Sequence, residues 1–273
     1  MSTFKYQILL FLLSVVMVNI HAQDSTLQLK LIKHLSGKYT NFTTDNLGNI
    51  LVVNQDNELI AFNNKYDSVA SYKNISAGNL SLVDVSNPLQ MLAYYNESNT
   101  IVLLDRQLNQ INSISLTQIN ILKVNAITRS YDNNYWLFDE WDNKLKKIDD
   151  KGNVLSESTD FRLMFKEAYL PERIIDDNGN LYLYNAGSGW LVFDYYLGLK
   201  KQYPYNGWKD VWIEDGFLKG MEKNKVVMAY PRELIYQHLN LSLQFNNVLK
   251  TICNHNNFFS LDKDGLNIFT IQQ

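Results

Sequence analysis

Four stretches of the chain, Phe42–Tyr72, Leu82–Leu116, Ile127–Asp160 and Arg173–Tyr205, follow one plan. Each is an apolar run, a turn rich in Asp, Asn or Gly, a second apolar run, a polar turn and a third apolar run, recurring with a period of about forty residues. A fixed period constrains architecture more than any single residue, because each unit can bury its apolar faces only against its neighbours.

The first unit shows the physics. Tyr39 to Thr44 read as a short strand, and Asp45-Asn46-Leu47-Gly48-Asn49 turn the chain, with Gly48 free to take positive φ and Asp45 able to bond the backbone two residues on. Ile50-Leu51-Val52-Val53 is an unbroken apolar run, the pattern of a strand covered on both faces. Asn54 to Asn57 turn it back into Glu58-Leu59-Ile60-Ala61-Phe62, and Tyr66 to Tyr72 alternate as an outer strand. The third unit repeats this through Tyr135-Trp136-Leu137-Phe138 and Lys144–Ile148, the fourth through Leu181-Tyr182-Leu183-Tyr184 and Trp190–Asp194. The second has Ser86-Asn87-Pro88 where the glycine turn should be, and the fifth is the most degenerate (Val211–Ile213, Phe217–Met221, Lys225–Tyr230, Leu234–Leu241). The last unit offers three strands, Leu249–Cys253, Asn257–Leu261 and Leu266–Ile271; Leu27 to Leu35 is expected to supply the fourth, since an unpaired sheet edge invites aggregation.

Asp-x-x-Gly-Asn before an apolar strand, at Asp45–Asn49 and with shifted spacing at Asp177-Asn178-Gly179-Asn180, resembles the blades of six-bladed β-propellers of the NHL-like type. The Gly-His and Trp-Asp pairs of WD40 blades are missing, apart from Trp141-Asp142 in a turn. The expected fold is all-β: a six-bladed β-propeller whose last blade is closed by the N-terminal strand of the mature chain, with five blades or a β-sandwich as the alternatives. Phe161–Tyr169 could add one short helical turn in a longer connection.

Lys5 followed by the apolar run Ile8 to Ile20 and small Ala22 has the pattern of a secretory signal peptide over residues 1–22, too short to span a bilayer comfortably. One domain over residues 23–273 is then expected, as no linker or charge block divides the chain, and export to a bacterial periplasm or the exterior follows. No stable membrane insertion is expected after cleavage. A net charge of −3 gives no electrostatic attraction to nucleic acid. The single cysteine, Cys253, sits in an apolar run and reads as a buried, inert thiol.

Loops between the second and third strands, with the inter-blade connections, build the face where such folds bind. On this reading Asp139, Glu140 and Trp141 come from one loop, while Arg162, Lys166, Tyr169, Trp208 and Lys209 come from connections. Aromatic and Arg residues on exposed loops are the usual anchors of protein interfaces, though Trp141 and Trp208 could equally be half-buried packing. Catalytic patterns are scarce. His34, His238 and His255 are far apart, Cys253-Asn254-His255 lacks zinc spacing, and no G-x-S-x-G, P-loop or H-E-x-x-H occurs. Asp262-Lys263-Asp264-Gly265 reads as a hairpin turn rather than a calcium loop. Asp139 and Glu140 are poor acid–base partners, because adjacent strand-end residues point to opposite sides. Neither cofactor nor metal is expected. The leading expectation is a non-catalytic module that recognises a protein partner in the cell envelope; the alternative is an envelope hydrolase or lyase acting on a carbohydrate or ester at the channel mouth.

Overall fold

The structure is a computed structural model that describes residues 26–233, 235–254 and 256–272. The leader expected over 1–22 lies outside the described residues, as do Leu234 and His255. Strands dominate. After β1 (Thr26–Ser36) the chain forms a four-stranded antiparallel sheet from β2 (Tyr39–Thr44), β3 (Ile50–Asn54), β4 (Glu58–Phe62) and β5 (Ser68–Lys73). A second follows from β6 (Leu80–Asp84), β7 (Met91–Tyr95), β8 (Thr100–Leu104) and β9 (Gln110–Ser115), and a third from β10 (Val124–Arg129), β11 (Tyr135–Asp139), β12 (Lys144–Ile148) and β13 (Val154–Glu157). The short helix α1 (Phe161–Met164) precedes a fourth: β14 (Arg173–Asp177), β15 (Asn180–Asn185), β16 (Gly189–Asp194) and β17 (Leu199–Tyr203).

The remaining strands are β18 (Lys209–Glu214), β19 (Phe217–Glu222), β20 (Lys225–Tyr230), β21 (Ile235–Leu241), β22 (Lys250–Cys253), β23 (Asn257–Leu261) and β24 (Gly265–Gln272). With β1 they form one eight-stranded sheet in the order β18-β19-β20-β21-β1-β24-β23-β22. β1 runs antiparallel to β24 from Gln28 opposite Gln272 to Ser36 opposite Gly265. It meets β21 only at its tip, in parallel, through Thr26–Asn240 and Leu27–Leu241. The strand expected over Leu27 to Leu35 is therefore present and paired as anticipated. A bulge between Leu31 and Lys33, with Lys30 and Lys33 beside it, blunts this outer strand, on which Leu31 and Ile32 are exposed.

First strands of successive sheets lie side by side: β2 by β6, β10 by β14, β14 by β18, β18 by β22, and β22 back by β2. The core lies between the sheets. Because side chains alternate across a strand, Tyr135 and Leu137 of β11 pack toward the second sheet with Leu92, Ile101 and Leu103, while Trp136 and Phe138 pack toward the fourth with Leu181, Leu183 and Phe193. This is why the second strands read as unbroken apolar runs: both of their faces are covered, and each such side chain contributes roughly 1.5–3 kcal/mol of burial. Cys253 packs among Met221, Phe258 and Phe269, and burial pushes its thiol up to about 12.

An Asx turn ends several strands. The Oδ1 of Asp45, Asn63, Asp105, Asp149 and Asp194 each accepts the backbone N–H two and four residues on, at 2.8 to 3.0 Å. The fourth residue of each turn is left-handed: Gly48, Tyr66, Leu108, Gly152 and Leu197. Asp262 likewise accepts from Asp264 and Gly265, so the Asp-Lys-Asp-Gly segment is a turn.

Candidate functional site

The β11–β12 loop is rigid. Asp139 Oδ1 accepts the Trp141 N–H at 3.0 Å, and the Asp139 carboxylate also takes Lys146 Nζ at 2.8 Å. Lys146 reaches Asp142 as well, so one buried ammonium ties both ends of the turn. Burial opposes its charge, but the two carboxylates hold the Lys146 ammonium above its ordinary range. Asn143 Nδ2 donates to the Glu140 carbonyl at 3.0 Å, and Glu140 Oε1 pairs with Lys123 at 2.7 Å. Asp139 and Glu140 are thus each held by a different lysine, facing apart as their adjacency implies. Trp141, at the tip, is 70% exposed. Arg162 stands beside this loop: its guanidinium is clamped by Asp160 at 2.5 to 3.0 Å and donates to the Asp142 carbonyl at 3.4 Å. Each clamps the other's charge, with the Asp160 carboxyl held below its usual range and Arg162 above its own.

Trp208 and Tyr169 are not surface anchors, which corrects the sequence reading. Trp208 is 2% exposed and sits in the core with Trp190, Tyr184 and Leu218. Its N–H donates to Tyr184 Oη at 2.7 Å, and that hydroxyl donates back to the Trp208 carbonyl at 2.8 Å, so Trp208 pins the β17–β18 connection. Tyr169 is 5% exposed, and its hydroxyl lies 2.7 Å from the Leu183 carbonyl and 2.9 Å from that of Gly189. Connections carry aromatic residues here because Phe161, Phe165 and Tyr169 must seal the gap between the third and fourth sheets. Lys166 and Lys209 are exposed. Lys166 borders a hollow of about 570 Å³ with Glu167, Trp190, Tyr203 and Pro204, while no described contact brings Lys209 or Trp208 to Trp141.

Two cations escaped the sequence reading. Arg173 and Lys250 open the inner strands β14 and β22, so both stand at the central ring. Arg173 lines a chamber of about 230 Å³ with Thr43, Thr44, Val83, Asp84 and Ser86. A separate cleft of only about 10 Å³ shares Thr43 and Val83 and is lined by Lys250, whose Nζ donates to Asn41 Oδ1 at 2.9 Å and lies over the Phe42 ring. Burial, and then the Arg173 guanidinium, pushes the Lys250 ammonium down to about 8, with the Asp210 carboxylate acting the other way. A first-position cation on an inner strand is the signal, legible only once strand order is known. Among the described residues no group of three or more His, Cys, Asp or Glu is placed to hold a metal ion.

No protein-family model matches this chain, and no curated protein matches it. Solved structures do. Virginiamycin B lyase from Staphylococcus aureus, in a catalytically inactive form with quinupristin, has a TM-score of 0.62 at 11% identity, covering 90% of this chain and 99% of that one. The Pan2 WD40 domain of Neurospora crassa gives 0.65 at 11% identity, with 92% and 97% covered. A Bacteroides thetaiotaomicron protein of unknown function gives 0.62 at 7% identity, with 92% and 74% covered. At these identities the likeness concerns the fold alone, and one chemistry does not follow from a fold that hosts both a lyase and WD40 domains. The repeated four-stranded sheets, the adjoining first strands and these likenesses together make the chain a β-propeller.

Proposed function

We propose that this chain is an exported, six-bladed, NHL-like propeller that binds a protein partner in the cell envelope without catalysis. The eight-stranded sheet is then two blades whose outermost strands, β21 and β1, touch at their tips. Trp141 carries the reading. A large apolar ring is held 70% in solvent on a loop whose every turn residue is bonded, so little conformational entropy is lost when it docks. Around it lie Glu140, Lys123, Arg162 and Asp160, a polar rim of both signs.

The test is crosslinked capture from native envelope extract with the tagged mature chain, alongside W141A. One stoichiometric partner that W141A loses, with melting unchanged, supports the reading. Equal capture by W141A, or no partner at all, refutes it.

A further inference from the structure

We propose that a hollow between the first and second sheets binds a small uncharged aromatic molecule with one polar end. The repeat shows what is missing there. Just before the register shift in its outer pair of strands, the second sheet sets Leu103 opposite Asn112, the third Lys147 opposite Ser156 and the fourth Val192 opposite Lys201. Leu103 fills the space toward the third sheet, and Lys147 reaches over the Tyr195 ring of the fourth. At the matching place the first sheet sets Ala61 opposite Ala70. Two alanines leave that space open, a hollow of about 400 Å³ with Leu51, Ala61, Ala70 and Met91 as its floor. Unfilled space between sheets forfeits packing contacts, so a gap kept at this junction and closed at the next two calls for an occupant.

Size, shape and charge narrow the class. About 400 Å³ lies within the range of small-molecule sites. Facing sheets make a flat slot, and the Phe62 ring and the Met91 thioether in its walls both favour an aromatic partner. Asp45 and Arg106 stand at the mouth with opposite charges. Asp45 is fixed there by hydrogen bonds from the Leu47 and Asn49 N–H groups and from Asn49 Nδ2 at 2.7 to 2.9 Å, so an anion drawn to Arg106 would also meet a carboxylate. Gln107 completes the mouth with an amide that can both donate to and accept from a ligand hydroxyl. The hollow belongs to the first two sheets and owes nothing to the Trp141 surface.

Titration of the protein with 2-naphthol, followed by NMR of ¹³C-methyl alanine and methionine, tests it. The Ala61, Ala70 and Met91 methyl resonances should move saturably while that of Met221, in another part of the core, stays in place. Binding should weaken at least about tenfold in A61L, whose added side chain takes the space and the apolar area the ligand would cover. A61L should fold, because the second sheet already holds leucine at the matching place. If it does not, the three methyl resonances of the unmutated chain decide. Unmoved resonances, equal movement at Met221, undiminished binding in a folded A61L, or tighter binding of 2-naphthoate would each overturn the proposal.

Discussion

At the scale of single residues, two tryptophans that look alike in sequence separate completely. Trp208→Ala should cost about 3–5 kcal/mol, the usual loss for a buried large aromatic, although alanine keeps the backbone groups that bond Tyr184. Trp141→Ala should stay within about 0.5 kcal/mol, because its ring is in solvent and only its backbone holds the turn. Urea unfolding of the two variants checks both. Lys250 gives a pH dependence. Its folded value near 8 lies below its ordinary 10.5, so between these the unfolded chain binds more protons and stability rises with pH. Burial sets this value first, then Arg173, which lowers it further, with Asp210 acting the other way. Wild type should gain on K250Q in melting temperature from pH 8 to 10.5; a constant difference would refute the assignment.

At the scale of elements, the Asx turn is the repeat's working part. Asp105 and Asp149 have carboxyls held below their ordinary range, chiefly by hydrogen bonds from Asn109 and Asn153. A depressed carboxyl stabilises the fold above its unfolded value, and that contribution fades as pH falls below 3.8. Asp105→Asn should therefore flatten the acid limb of the unfolding profile relative to wild type. These turns also explain how much could be read beforehand. Apolar runs between Asp and Asn clusters gave the strands, including the outer one at Leu27 to Leu35, because two-sided burial leaves a clear signature. Several of these turns carry no glycine to mark them, because Tyr66, Leu108 and Leu197 occupy the left-handed position where Gly48 and Gly152 stand elsewhere. Leu108 is 2% exposed, so its burial offsets the backbone cost and hides the motif. The loop at Trp141 was legible for a similar reason, since a turn of charged residues between apolar strands must be outside. Burial of Trp208 and Tyr169, and the meeting of Arg173 with Lys250, were not, because they depend on which connection crosses which sheet.

For the whole molecule, the sheet that joins the ends matters most. Removing Leu27–Leu35 would strip β24 of its partner over seven residue pairs and expose Ile268 and Leu266, which pack with Phe42 and Ile50 of the first sheet. The truncated chain should lose stability as one unit rather than shed a strand; melting like the chain that keeps Leu27–Leu35 would show that the seal is dispensable.

That seal also sets a timetable. Gln28 pairs with Gln272, so β1 must wait for β24, more than two hundred residues later in synthesis, before it finds its neighbour. Through that interval Leu31 and Ile32 stand on a free edge. This pairing of β1 with β24 is an encounter of very long sequence separation, the kind that makes refolding slow and concentration-sensitive. A ring that is hard to close is, once closed, equally hard to open at that seam.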